Sequence, residues 1–153
     1  PVAELPPTRP EVKRADAKKI LLVDDDDILS RALRRALRPH DVRLASSAEE
    51  ESMMLADPDY KPDVVLCDLR LPGISGDELH RRCAEKHPKL ARRFVFVTGG
   101  AFSEEQSKYL RDCGRPTLLK PVSVNDVIAM LAADAEADSE RGDSIPTLKG
   151  EHG

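Results

Sequence analysis

The residues of this chain that could do chemistry are carboxylates, one threonine and one lysine, and each follows a short apolar run. Asp24 to Asp27 come after the first such run, Asp68 after the third, Thr98 after the fourth and Lys120 after the fifth. Carboxylates that crowd into one cleft repel each other, and oxygen-only ligands select a hard cation such as Mg²⁺. A carboxylate nucleophile, a Mg²⁺ site, a lysine and a hydroxyl are the groups that phosphoryl transfer to an aspartate requires.

Each of these residues also has an ordinary structural explanation. A run of four aspartates is most often a solvated loop or a helix N-terminus, where the helix dipole favours negative charge. Asp68 could cap a turn, because Pro72 and Gly73 follow it. Thr98 could be a plain strand-end hydroxyl, and Lys120 a plain surface lysine. The placement of all four groups after separate strands favours the chemical interpretation.

The elements that must position these residues alternate between short apolar runs and amphipathic segments. The predicted strands are Ile20–Val23, Val42–Ala45, Val64–Cys67, Phe94–Val97 and Thr117–Leu119. Helical periodicity or helix-start signals follow each strand, at residues 28–38, at Ser46 or Ser47, at 79–87, at Ser103 and at Ser123. This alternation predicts an α/β fold with a parallel sheet covered on both faces. Ligands bind at the carboxyl ends of the strands in such a sheet.

Composition limits the class of protein. The chain has 153 residues, of which 40% are hydrophobic and 34% charged, and its net charge of −4 gives no reason to expect a nucleic-acid partner. Three cysteines without metal-ligand spacing indicate reduced thiols in a cytoplasmic protein. No window reaches the roughly 18 apolar residues of a membrane span, so we expect no membrane contact.

The two ends of the chain differ in composition from its middle. Residues 1–18 are rich in proline and charge, which predicts a linker. Residues 134–153 are polar and predict a disordered tail. The folded domain is therefore expected at residues 19–133, too few for an eight-stranded α/β barrel and suited to a small doubly wound sheet.

Four segments together carry a resemblance to a known family. KILLVDDDD, PDVVLCDLRLPGISGDEL, FVFVTGG and LLKPVS, in this order and spacing, resemble the receiver (response-regulator) domain of two-component signalling. The resemblance covers residues 19–133 and implies a flavodoxin-like (CheY-like) (βα)5 fold, a doubly wound five-stranded parallel sheet with strand order 2-1-3-4-5. It also implies that Asp68 takes a phosphoryl group from the phosphohistidine-bearing domain of a histidine kinase or phosphotransfer protein, in a Mg²⁺-dependent reaction.

The same resemblance implies a set of metal ligands. Asp25 and Asp68 would bind Mg²⁺ directly, and Asp24 would act mainly through water. The backbone carbonyl of Arg70 would complete the protein ligands. The two aspartates that follow Asp25 match no ligand position of the family, so we interpret them as helix N-terminal charges.

The resemblance further implies contacts to the phosphoryl group, and it has two departures. Thr98 and Lys120 would contact the phosphoryl oxygens, and Pro121 would form a Lys-Pro turn that is commonly cis in the family. The aromatic residue usual shortly before the lysine is replaced by Thr117. Residues 111–116 replace the common Gly-Ala turn before the fifth strand. Phosphorylation depends on neither feature, whereas signal readout could.

Several larger contexts are compatible with these residues. PVAELPP resembles the exit from the ATP-binding domain of a histidine kinase, and TGGAFS resembles C-terminal receivers of hybrid histidine kinases. We therefore expect a receiver from a hybrid kinase, with a stand-alone single-domain response regulator as the alternative. A haloacid-dehalogenase-type phosphatase could use Asp24 and Asp26, but it would need a further acidic pair after the lysine strand and would leave Asp68 unexplained. The complete residue set also argues against a degenerate receiver that acts only as an interaction module.

Overall fold

The computed structural model describes residues 17–100 and 102–133. The strands are β1 (Lys19–Val23), β2 (Asp41–Ala45), β3 (Val64–Asp68), β4 (Phe94–Thr98) and β5 (Thr117–Leu119). The helices among them are α1 (Asp27–Ala36), α2 (Ala48–Leu55), α3 (Gly76–Lys86), α4 (Pro88–Ala91) and α5 (Glu104–Cys113). The predicted tail and all but the last two residues of the predicted linker lie outside the described residues. No helix in the described ranges is long and apolar enough to cross a membrane.

The five strands form one parallel sheet in the order β2-β1-β3-β4-β5, which confirms the predicted fold class. Val23 pairs in register with Cys67, and Asp68 pairs with Val97. The carboxyl ends of β1, β3 and β4 therefore lie side by side. The chain leaves β1 toward one edge of the sheet and later returns to build the other, so the switch point of the topology falls between β1 and β3.

The three central strands are almost entirely buried, as expected when helices cover both faces of a parallel sheet. The core is built mainly from aliphatic side chains because the chain has no tryptophan. Phe94 and Phe96 are its largest fully buried side chains. Full burial of such a side chain contributes about 1.5–3 kcal/mol, which keeps the strands that carry the site rigid.

The helix starts agree with the sequence signals. Asp26 is the N-cap of α1, and its carboxylate accepts a hydrogen bond from the Leu29 backbone N–H at 3.1 Å. Of the two serines that could begin α2, Ser47 is the N-cap, and its hydroxyl accepts from the Glu50 N–H at 3.2 Å. The backbone N–H of Ser46 donates in turn to the Glu50 carboxylate at 2.7 Å.

One helix was not predicted. The third helix, expected at residues 79–87, ends at Lys86. A short second helix, α4, then begins with Pro88 as its first residue. Proline suits this position because the first residue of a helix does not need its N–H as a hydrogen-bond donor.

A second compact unit begins at Ser123. Its described part is a helix at residues 124–133, here called α6. The Ser123 hydroxyl accepts a hydrogen bond from the Asp126 N–H at 3.0 Å, which confirms the predicted helix start. Val127 and Leu131 are buried, four residues apart on this helix.

Candidate functional site

Three carboxylates converge at the carboxyl edge of the sheet. Asp24 and Asp25 directly follow β1, and Asp68 is the last residue of the neighbouring strand β3. One carboxylate oxygen from each lies within 4.8 Å of the others, and no other such group of three acidic, histidine or cysteine side chains occurs in the described residues. Asp24 and Asp68 are 6% and 5% exposed, whereas Asp25 is exposed.

The two buried carboxylates are oriented by the backbone that follows them. Asp24 Oδ1 accepts a hydrogen bond from the Asp26 N–H at 2.9 Å, and Asp68 Oδ1 accepts one from the Arg70 N–H at 3.0 Å. Their other oxygens face Lys120 Nζ, which lies 3.0 Å from Asp68 Oδ2 and 3.6 Å from Asp24 Oδ2. Both carboxylates are thus held with one oxygen turned toward the same ammonium group.

Negative charges outnumber positive charges at this cluster. Burial raises the pKa of Asp24, and the nearby charge of Asp68 raises it further, while the hydrogen bond from Asp26 opposes both. Burial acts to lower the pKa of Lys120, but its hydrogen bond to Asp68 and the charge of Asp24 outweigh this and raise it. The cluster therefore holds three carboxylates and one ammonium, and an all-oxygen donor set of this charge fits a hard divalent cation such as Mg²⁺.

The hydroxyl and the lysine come from the next two strands. Thr98 ends β4 and is 3% exposed, and its Oγ1 accepts a hydrogen bond from the Gly100 N–H at 3.0 Å. The hydroxyl proton of Thr98 stays free to donate, because this bond uses only a lone pair. The Lys120 N–H donates to the Thr98 carbonyl at 2.8 Å, which continues the β4–β5 pairing. The Lys120–Pro121 peptide bond is cis, as the family turn implied.

The floor formed by these residues opens into a cleft of about 1020 Å³. Its walls come from the segments that follow β3 and β4, and they include Arg70, Ile74, Phe102 and Gln106. Asp68 is among the residues that line this cleft. The cleft is lined by five of the sequence-predicted site residues, Asp25, Asp68, Arg70, Thr98 and Lys120. The sixth, Asp24, is connected to them by its ion pair with Lys120.

Sequence reasoning missed Gly76, the first residue of α3. Its N–H donates to the Leu69 carbonyl at 2.9 Å, and a β-carbon at this position would lie 2.4 Å from the Asp68 backbone oxygen. The start of α3 therefore packs directly on the backbone of the predicted acceptor, and only glycine allows this approach. The glycine beside the helix-start serine in ISGDEL is the signal that could have revealed it.

Asp26 and His80 have structural roles. The Asp26 carboxylate caps α1, so it does not supply the second aspartate of a dehalogenase-type pair facing a substrate. His80 is buried and hydrogen-bonds Tyr109 and the Ala91 carbonyl, a structural role in the core.

Comparison with known proteins gives consistent matches. A family model described as the response regulator receiver domain matches residues 20–132. The probable transcriptional regulatory protein TcrX of Mycobacterium tuberculosis is 27% identical over 124 residues, which are 80% of this chain and 52% of that protein. The hydrogenase transcriptional regulatory protein HoxA of Cupriavidus necator is 32% identical over 127 residues, 81% of this chain and 25% of that protein. The chain thus spans about half or less of the length of these curated relatives.

Solved structures match over most of the described residues. A CheY-like response regulator receiver domain protein from Methanospirillum hungatei superposes with a TM-score of 0.70 at 24% identity, covering 82% of this chain and 98% of that chain. The non-phosphorylated receiver domain of HemR from Leptospira biflexa superposes with a TM-score of 0.63 at 27% identity, covering 76% and 92%.

Proposed function

This chain belongs to the response regulator receiver domain family, and on that premise we propose that Asp68 is the residue that accepts a phosphoryl group in two-component signalling. The observation that carries the proposal is the convergence of Asp68 with two further carboxylates and Lys120 on the floor of an open cleft. Asp68 is held by hydrogen bonds from the Arg70 N–H and from Lys120, so its carboxylate keeps a fixed orientation toward an incoming donor.

The proposed reaction transfers the phosphoryl group between two proteins. A carboxylate oxygen of Asp68 attacks the phosphorus of a phosphohistidine, a P–O bond forms, and the P–N bond breaks with its electron pair returning to the imidazole. Lys120 and the hydroxyl proton of Thr98 would stabilise the charge on the transferred oxygens. Because the pKa of Lys120 is raised by its carboxylate partners, its side chain stays positive throughout the physiological pH range.

The acidic cluster is the proposed metal site. Asp24, Asp25, Asp68 and the backbone carbonyl of Arg70 would hold Mg²⁺, with Asp24 acting mainly through water. The bound ion would supply positive charge against the charge that develops on the phosphoryl oxygens. The closeness of the three carboxylates, with one oxygen of each within 4.8 Å of the others, supports this assignment.

The protein that contains this domain is a separate proposal. The TGGAFS segment supports a hybrid histidine kinase, whose own phosphohistidine domain or a phosphotransfer protein would be the donor, acting in the cytoplasm. A response regulator is the second candidate, because the curated relatives are named as transcriptional regulatory proteins and response regulators. Tandem mass spectrometry of the native polypeptide, captured with an antibody raised against this domain, distinguishes the two, because only a kinase contains the ATP-binding domain of a histidine kinase.

Intact-protein mass spectrometry tests the acceptor. The chain is incubated with phosphoramidate or with a phosphohistidine domain, with and without Mg²⁺, as wild type, Asp68→Asn and Asp41→Asn. Asp41 is an exposed aspartate at the amino end of β2, at the opposite edge of the sheet, so its substitution is a matched control. We expect one phosphoryl group, dependent on Mg²⁺, on the wild type and the control and none on Asp68→Asn. No adduct from either donor, or an adduct that survives Asp68→Asn, would refute the assignment.

A further inference from the structure

One glutamine side chain joins the two walls of the cleft. Gln106 lies in the first turn of α5. Its side-chain oxygen accepts a hydrogen bond from the Ser103 N–H at 3.2 Å, and its backbone N–H donates to Ser103 Oγ at 3.1 Å. Of the Gln106 side chain, this capping box uses only the amide oxygen. The amide nitrogen of Gln106 donates to Asp77 Oδ1, in the first turn of α3, at 2.9 Å.

The two helix starts that Gln106 connects are those that follow the reacting residues. α3 begins at Gly76, which packs against the backbone of Asp68. α5 begins shortly after Thr98, whose hydroxyl is itself bound by the Gly100 N–H. The hydrogen bond between Gln106 and Asp77 therefore spans the space between the segment that carries the acceptor and the segment that carries the hydroxyl.

A second hydrogen bond ties the same two helices one turn further along. The Tyr109 hydroxyl lies 2.5 Å from His80 Nδ1, and His80 Nε2 lies 2.9 Å from the Ala91 carbonyl. Because a carbonyl only accepts, Nε2 carries the hydrogen, and Nδ1 accepts from the tyrosine. Asp77 and His80 are three residues apart on α3, and Gln106 and Tyr109 are three residues apart on α5. The two hydrogen bonds therefore link the same two helices about one turn apart.

We propose that Gln106 is a positioning residue for the phosphoryl transfer: by tying α5 to α3 through Asp77 it fixes the Thr98 segment over Asp68. This inference rests on the function proposed above. The side-chain hydrogen bonds of Gln106 given by the described structure go to Ser103 and Asp77 and not to the three carboxylates of the metal cluster, so we expect its effect to fall on the placement of the hydroxyl and not on metal binding. A misplaced hydroxyl stabilises the transferred oxygens less well and slows the reaction.

A substitution cycle isolates this tie from the helix cap. Gln106→Glu keeps an oxygen that can accept from the Ser103 N–H. It replaces the hydrogen bond to Asp77 with repulsion between two carboxylates. Adding Asp77→Asn restores a hydrogen bond with donor and acceptor exchanged, because the amide introduced at position 77 donates to the carboxylate introduced at 106. Asp112→Asn is the control, since it breaks an exposed ion pair between Lys108 and Asp112 within α5 and no contact between helices.

The measurement is the rate constant of phosphorylation by phosphoramidate at saturating Mg²⁺, together with the Mg²⁺ concentration at half-maximal rate. We expect Gln106→Glu to lower the rate constant roughly three- to tenfold. The double variant should return to within about twofold of wild type, and the control should match wild type throughout. The Mg²⁺ midpoint of the double variant, whose net charge equals that of the wild type, should be unchanged, which a general loosening of the site would not allow.

The outcomes separate this inference from the proposed function. A wild type that is phosphorylated, with Gln106→Glu reacting equally fast, overturns the positioning role and leaves the acceptor assignment intact. The same holds if the double variant stays as slow as Gln106→Glu, or if the Mg²⁺ midpoint of the double variant differs from that of the wild type. A wild type that accepts no phosphoryl group from any donor overturns both.

Discussion

Glu51 allows a quantitative test of the structure away from the site. Its side chain lies on the inner face of α2, is 2% exposed, and leaves the Oε2 atom without a hydrogen-bond partner. Burial raises the pKa of Glu51 from 4.5 to about 7, against a smaller lowering by a hydrogen bond from Ser52. A carboxyl buried in this way resists ionisation, because the charged form loses its hydration and gains only the Ser52 hydrogen bond in return.

The sign and size of the effect follow from linkage. The unfolded chain ionises Glu51 near pH 4.5 and the folded chain only near pH 7, so stability falls as the pH rises between these values and then levels off. The gap between the two pKa values corresponds to about 3.4 kcal/mol at roughly 1.36 kcal/mol per pH unit. Between pH 5 and pH 8 the contribution of Glu51 to the free energy of unfolding should drop by about 2.5 kcal/mol.

Urea unfolding of the wild type and Glu51→Gln at pH 5 and pH 8 measures this contribution. From pH 5 to pH 8 the free energy of unfolding of the wild type should fall by about 2.5 kcal/mol more than that of Glu51→Gln. The variant should therefore be more stable relative to the wild type at pH 8 than at pH 5. Any pH-independent cost of burying the amide cancels in this comparison. Glu49→Gln, at an exposed position on the same helix, should behave like the wild type. A difference below about 0.5 kcal/mol for Glu51→Gln would refute the raised pKa of this buried carboxyl.

Two further predictions concern the backbone of the acceptor and the thiols. Gly76→Ala should cost about 1–3 kcal/mol in urea unfolding and slow phosphorylation, because its β-carbon would collide with the Asp68 backbone oxygen, whereas Gly99→Ala has open space and should unfold like the wild type. Equal stability of the two variants would contradict the close approach. A thiol reagent should modify Cys113 in the native protein and spare the other two cysteines, whose pKa values are raised by burial, that of Cys83 to about 12. Mass spectrometry should count one adduct before denaturation and three after it, and three adducts forming at one rate in the native protein would show this burial to be wrong.

Much of the site follows from local sequence. Short apolar runs that alternate with helical segments predict parallel strands, and parallel strands end at one edge of their sheet. The positions of Asp24, Asp68, Thr98 and Lys120 directly after their strands were therefore enough to expect that they meet. Helix starts such as Ser103 were equally visible, because a cap and its partner lie only three residues apart.

What only the tertiary structure decided depends on how distant helices pack. Gln106 and Asp77, like His80 and Tyr109, are separated by 29 residues, and nothing in the sequence around either member indicates its partner. Such pairs exist only once α3 and α5 have taken their positions on the sheet, since hydrogen bonds require donor and acceptor within a few tenths of an ångström of their ideal distance. The sequence by itself thus determined the order of the strands and the residues at the strand ends. The packing of the helices decided which side chains brace the two walls of the cleft.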